Sequence, residues 1–191
     1  MKEEHKKSYT FFKSILKIPF KLWYNPKIIG ANNIPETGAL IICANHKHMM
    51  DQCPIIISTK RMVHYLAKKE YFDSKFAFFF KTAGCIPVNR SIKDQEAKEH
   101  AISILKQGYV IGLFPEGTRN KTKEFLLPFK YGAVSMAQKT NAHILPVGIT
   151  GDYKFRSKNL TIKIGKPFKI NKMSLEEANN KLKTEISKLM K

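Results

Sequence analysis

Ala39-Leu40-Ile41-Ile42-Cys43-Ala44-Asn45-His46-Lys47-His48-Met49-Met50-Asp51 is an apolar run that opens abruptly into polar residues. Ala39 to Ala44 reads as a buried strand. A chain leaving such a strand emerges at the carboxyl edge of a sheet, where α/β proteins place their sites. A His and an Asp just past that edge point to acid–base chemistry. Neutral imidazole takes a proton from a hydroxyl, and a carboxylate holds the ring and stabilises its charged form. His46 and Asp51 are five apart, about 140° around a continuous helix, so they would not face each other on one. They meet if His46 lies in the loop and Asp51 in the first turns of the following helix. His48 and Asp51 form a competing pair at i,i+3 spacing, and spacing alone does not choose between the two histidines. His46, His48, Asp51 and Cys53 are also metal-ligand types, but no second well-spaced histidine cluster follows, and the expectation is a site without metal. The bland alternative is a hydrogen-bonded surface pair, so the rest of the chain has to decide.

The chain has 191 residues, enough for one domain with a real core. Hydrophobic content of 43% with 13 Phe argues against disorder. Lys and Arg outnumber Asp and Glu by 34 to 15, a formal charge of +19. Such an excess calls for an anionic partner: nucleic acid, an anionic membrane surface, or acidic substrates and carrier proteins. The three cysteines, Cys43, Cys53 and Cys85, are scattered and odd in number, as expected of free thiols in a reducing compartment. Met1 to Lys7 is followed by no clean apolar segment, so a signal peptide is not expected. No apolar run approaches the ~20 residues that span a bilayer.

Outward from the central strand, apolar runs alternate with helical patterns. Strands are expected at 62–67, 109–114, 143–149 and 160–164, with a short strand and its exit at 84–90, and helices at 71–82, 94–107, 128–139 and 174–190. The last helix opens on a Ser174-to-Glu177 capping box. Residues 28–35 read as irregular. This is the pattern of a single α/β domain with a mixed, largely parallel sheet flanked by helices, over residues 28–191. Residues 1–27 precede it as an amphipathic helical segment. There Phe11, Phe12, Ile15, Leu16, Leu22 and Trp23 recur at helical spacing, with Lys13, Lys17 and Lys21 on another face. Pro19 is expected to kink this helix or to start a second one. Lysines on one face and Phe and Trp on the other are the pattern of a helix lying in a membrane interface; a core-packed helix with a solvated Lys face is the alternative. The run Phe76-Ala77-Phe78-Phe79-Phe80 is apolar nearly all round, and is either buried or pressed into lipid.

Two further strand exits carry an arginine. One is Gly84-Cys85-Ile86-Pro87-Val88-Asn89-Arg90; the other is Phe114-Pro115-Glu116-Gly117-Thr118-Arg119-Asn120. Guanidinium binds phosphate bidentately and keeps its charge at any working pH. Gly117 permits a tight turn, Glu116 offers acceptors for substrate hydroxyls, and Lys68 or Lys69 after another strand adds a third positive group. Neither loop has the P-loop or dinucleotide pattern.

Taken together, Asn45-His46…Asp51, Gly84…Arg90, Phe114…Arg119 and Leu145-Pro146-Val147-Gly148-Ile149 resemble, in order and spacing, the motifs of the PlsC-type glycerophospholipid acyltransferases. The resemblance implies His46, rather than His48, as general base, with Asp51 orienting it. It implies Arg90 and Arg119 on the acceptor phosphate, with Glu116 near the glycerol; Gly117, Thr118 and Lys68 complete the expected substrate-binding set. The implied reaction moves an acyl group from acyl-CoA or an acylated carrier protein to the free hydroxyl of lysophosphatidic acid, with no cofactor beyond that co-substrate. The implied location is peripheral, on an anionic membrane surface at the cytoplasmic face. This chain departs from the common form of the first motif: Lys47-His48 stand where Gln-Ser often follows the His. Two rival readings come from other classes. One is a basic nucleic-acid-binding module, which has only the charge in its favour; no recognition motif interleaves the basic residues, and nucleic acid is not expected as a partner. The other is a membrane-bound metallohydrolase using His46, His48 and Asp51.

Overall fold

In the computed structural model, residues 3–191 are described, apart from Phe76, Arg90 and Lys93, and side chains are described from Ser8 onward. Seven strands form one sheet: β1 (Lys27–Ile29), β2 (Leu40–Ala44), β3 (Val63–Lys68), β4 (Ile86–Val88), β5 (Val110–Leu113), β6 (His143–Thr150) and β7 (Thr161–Ile164). Their order is β1-β7-β6-β2-β5-β3-β4. All pairs are parallel except β6 with β7, where Val147 faces Ile164. The helices are α1 (Glu3–Tyr24), α2 (Gln52–Ser58), α3 (Ala77–Thr82), α4 (Gln95–Lys106), α5 (Gly132–Thr140) and α6 (Leu175–Met190).

β2 lies at the centre, and its residues show why. Successive strand side chains point to opposite faces. Ile41 and Cys43 enter the core under α4, α5 and α6, while Leu40, Ile42 and Ala44 enter the second core with Phe20 of α1 and Cys53 and Ile55 of α2. All five are buried. A strand covered on both faces has to be apolar throughout, which is the run the sequence shows. Because β2 to β6 run parallel, their exits share one edge of the sheet. The stretches 45–51, 114–120 and Lys68 with its followers leave from that edge.

Four expectations about elements are corrected. Pro19 does not start a second helix: α1 runs through it. The proline lies on the exposed side, while Tyr9, Leu16, Phe20 and Tyr24 on the other side hold the helix onto the body across it. The helix expected at 71–82 is a 3-10 turn (Lys69–Tyr71) followed by the short α3. Between them Ser74 Oγ donates to the Tyr71 carbonyl at 2.8 Å, the competition with helical bonding that Ser and Asp offer. The helix expected from Pro128 begins at Gly132. The preceding residues are held by the site loop instead: the Leu127 N–H donates to Glu116 and the Lys130 N–H to the Pro115 carbonyl. Ile28 and Ile29, at the start of the stretch 28–35 that reads as irregular, join Lys27 in the edge strand β1 on β7. Gly30 then turns with φ +79°, where a Cβ would stand 2.2 Å from the Ile164 carbonyl oxygen. Asp94 caps α4, Gly108 follows it at φ +81°, and the Ser174–Glu177 capping box is formed.

Candidate active site

His46 is fixed by four contacts that originate in two strand exits. Its backbone N–H donates to Glu116 Oε1 at 2.7 Å, and its carbonyl accepts from the Asn120 N–H at 2.7 Å. Its ring stacks on Phe114, centroids 3.9 Å apart and planes within 9°. Its Nδ1 is 2.8 Å from Asp51 Oδ2. Asn45, one residue earlier, pairs its side-chain amide with both the carbonyl and the N–H of Ile149, at 2.9 and 2.7 Å, locking the end of β2 to β6. The loop after β2 and the loop after β5 therefore form one rigid unit.

Asp51 is wholly buried, yet both its oxygens are hydrogen-bonded. Oδ2 accepts from His46 Nδ1 and from the Lys47 and His48 N–H groups at 2.7 Å each; Oδ1 accepts from the Tyr153 hydroxyl at 2.7 Å. A buried carboxylate is tolerable only with such pairing. Since the carboxylate accepts at Nδ1, that nitrogen carries the ring proton, and Nε2 is left with a lone pair. Nε2 makes no hydrogen bond to any described residue, and the His46 side chain is 15% exposed. The arrangement is a histidine held in one tautomer, with its basic nitrogen free of hydrogen bonds to the described residues.

The two histidines are separated by this geometry. His48 Nδ1 accepts from the Met50 N–H at 3.2 Å and its ring stacks on Tyr153, so it does not face Asp51 Oδ atoms through its side chain. The expected placement, His46 in the loop and Asp51 at the helix start, is the observed one: Asp51 immediately precedes α2. Among the described residues no group of three or more His, Cys, Asp or Glu side chains is placed to share a metal ion.

The other sequence-derived residues are distributed as follows. Glu116 is buried, with Oε1 on the His46 N–H and Oε2 on the Leu127 N–H at 2.9 Å, so its carboxylate braces the base's loop. Gly117 turns with φ +70°, and a Cβ there would meet the Lys130 side chain at 2.8 Å. Thr118 and Arg119 are exposed. Lys68, at the exit of β3, is exposed with Nζ 3.7 Å from Glu70 Oε1. Arg90 lies outside the described residues. Burial disfavours the thiolate at all three cysteines: it raises the Cys53 thiol to about 12, Cys85 to about 11, and Cys43 further still. Tyr153 is the residue that the sequence reading missed. The signal was positional, since Gly151-Asp152-Tyr153 also leaves a strand, β6, at the same edge.

Known proteins resemble this chain in sequence and in fold. The family model described as Acyltransferase matches residues 25–150. A 1-acyl-sn-glycerol-3-phosphate acyltransferase of Bacillus subtilis is 29% identical over 165 residues, covering 83% of this chain and 81% of that protein. One from Borreliella burgdorferi is 35% identical over 171 residues, covering 83% of this chain and 64% of that protein. The crystal structure of the 1-acyl-sn-glycerophosphate acyltransferase PlsC from Thermotoga maritima superposes with a TM-score of 0.81 at 25% identity, covering 98% of this chain and 81% of that one. A model match over more than half of the chain, joined to that fold and to the His46–Asp51 geometry, carries the conclusion that the chain belongs to the acyltransferase family.

Proposed function

We propose that this acyltransferase moves a fatty acyl group from a thioester donor to the free hydroxyl of lysophosphatidic acid, giving phosphatidic acid. The observation that carries the reading is His46: Nδ1 on Asp51, Nε2 unoccupied, in a chain whose relatives bear that activity in their names. His46 Nε2 takes the hydroxyl proton as the oxygen attacks the thioester carbonyl carbon. The tetrahedral intermediate collapses with rupture of the C–S bond. The leaving thiolate takes the proton from Nε2, which restores neutral imidazole and releases a free thiol. The mechanism invokes no acyl-enzyme, and burial, which pushes all three thiols upward, disfavours a cysteine thiolate in that role. Arg119, exposed in the loop braced by Glu116, binds the acceptor phosphate together with Arg90, and Lys68 adds charge at the same sheet edge. Acyl-CoA and acylated carrier protein are both anionic and both suit a chain of charge +19.

The acceptor and product are lipids, and the enzyme works from the membrane surface. No described helix is long and apolar enough to cross a bilayer. Instead α1 shows a line of exposed apolar side chains, Phe11, Ile15, Ile18 and Leu22, each 54–69% exposed. Phe78 and Phe79 of α3 extend it through ring contacts with Phe12, and Trp23 extends it through Phe155. Lys17 and Lys21 are exposed on the same helix and face anionic headgroups. On this reading the chain lies peripherally on the membrane, and its three free thiols suit the cytoplasmic face.

The test is a transfer assay with labelled acyl-CoA and labelled acylated carrier protein against lysophosphatidic acid, other lysophospholipids and glycerol 3-phosphate. Phosphatidic acid from lysophosphatidic acid with either donor supports the reading. Preferential transfer to a different acceptor overturns the substrate assignment, and no transfer to any acceptor overturns the reaction.

A further inference from the structure

The loop joining β6 to β7 lies between the catalytic turn and α1, and touches both. On one side Lys47 Nζ donates to the Gly151 carbonyl, and the Tyr153 ring stacks on His48 with centroids 4.3 Å apart. On the other side Tyr153 meets Tyr24 and Phe20 of α1, at centroid distances of 5.5 and 6.5 Å. Phe155 packs against Trp23 at 4.8 Å, and the Arg156 N–H donates to the Trp23 carbonyl at 2.7 Å. The Tyr153 hydroxyl then reaches Asp51 Oδ1.

That last bond has a distinct place in the geometry. Asp51 Oδ2 serves the base and two backbone N–H groups of its own turn, so Oδ1 depends on Tyr153 from across the site. Asp51 is fully buried, and without the phenol an acceptor oxygen would be left unpaired there. The carboxylate would then turn to share its remaining donors, and the bond to His46 Nδ1 would change with it. Burial and the adjacent carboxylate push the phenol's ionisation far upward, so it stays a donor at every working pH.

We propose that Tyr153 is a positioning residue for acyl transfer: it holds Asp51 so that Asp51 orients His46, and it ties that pair to the seated end of α1. The proposal rests on the reading of His46 as the base. It acts on the reaction through Asp51 and needs no contact with substrate.

The experiment compares the full chain with its Tyr153→Phe variant, which keeps the ring and loses one oxygen. Acyl transfer gives kcat and both KM values, and proton NMR follows the His46 Nδ1–H resonance. A fall in kcat of about tenfold or more is expected, with both KM values within about twofold of wild type. The resonance should move, with an unchanged circular-dichroism spectrum. In an Asp51→Asn background the same substitution should change kcat less than about twofold, because the shared bond is already lost. An unchanged kcat with an unmoved resonance overturns the proposal. So does a rise in KM alone, full additivity with Asp51→Asn, or loss of the folded state in Tyr153→Phe, which would assign the residue to the core. Absence of acyl transfer in the wild type refutes the functional reading, while the NMR arm still decides whether Tyr153 sets the state of His46.

Discussion

The turn at 45–51 and the outer face of α1 obey opposite rules. In the turn and the loop braced against it, the buried polar side chains are paired: Asn45 with Ile149, Asp51 with four donors, Glu116 with two backbone N–H groups. On α1, large apolar groups are left in water while Tyr9 and Phe20 behind them are buried. Buried polar groups without partners are costly, so the turn has one tolerable arrangement. Exposed apolar groups disturb no packing, but a contiguous line of them marks a contact surface. The site is rigid by hydrogen bonding; the helix is committed on one face and unsatisfied on the other.

The largest expected effect breaks the turn. His46→Ala should lower kcat by ~10²–10⁴-fold and leave the thermal midpoint close to wild type, since the ring is a lid on Phe114 and not part of the core. Asp51→Asn should be comparably impaired and also less stable, because an amide cannot accept from all four donors. His48→Ala should keep most of the activity. An active His46→Ala beside a dead His48→Ala would reverse the assignment. Steady-state kinetics with calorimetry on the three variants decides it.

Arg119→Ala comes next. Loss of a charge-assisted bond worth about 1.5–3 kcal/mol should raise the KM for the phosphate-bearing acceptor roughly ten- to hundred-fold, with the donor KM little changed. Lys at this position should restore only part, for want of the bidentate fork. Equal effects on both substrates would make Arg119 structural.

Glu116 separates a brace from a binding residue. Both its oxygens accept backbone N–H groups, so Glu116→Gln turns an amide donor against one of them. Stability should fall by about 1–3 kcal/mol, measured by denaturant unfolding, with the acceptor KM unchanged. A raised acceptor KM at full stability would instead restore the role of substrate contact that its sequence position suggests.

The sequence and the structure agree best where the signal is continuous. The apolar run 39–44 reads as a strand and is one, covered on both faces, whereas the choice of His46 over His48 as the partner of Asp51 comes from the resemblance of the motifs, because the spacing leaves both open. The failures are local and physical. The Lys27-Ile28-Ile29 strand is three residues long and exists because β7 offers it an edge. The start of α5 is set by hydrogen bonds from Leu127 and Lys130 to the loop after β5, which no local propensity encodes. Pro19 is passed over because packing on both sides of it outweighs the bond it removes. Tyr153 is 102 residues from Asp51, and a partner so remote has no spacing to read.

The smallest expected effect concerns α1, and the structure dictates how to measure it. Deleting residues 1–24 would remove Tyr9 and Phe20 from the core, so a truncated chain would confound membrane binding with unfolding. Single substitutions on the exposed line avoid this. An interfacial helix buries only part of each side chain, so Ile18→Ser or Leu22→Ser should weaken binding to anionic vesicles by about 1 kcal/mol, roughly fivefold, with the thermal midpoint unchanged. Lys17→Gln should cost a similar amount at low salt, because each lysine near an anionic surface contributes ~1 kcal/mol. Salt separates the two. Screening removes the lysine effect as the Debye length shrinks from about 10 Å at 0.1 M to about 3 Å at 1 M, and leaves the apolar effect intact. Co-sedimentation of the full-length variants across that salt series is the measurement. If Ile18→Ser and Leu22→Ser sediment like the wild type at 1 M salt, the exposed line of α1 does not enter lipid, and Phe78 and Phe79 become the surface to substitute.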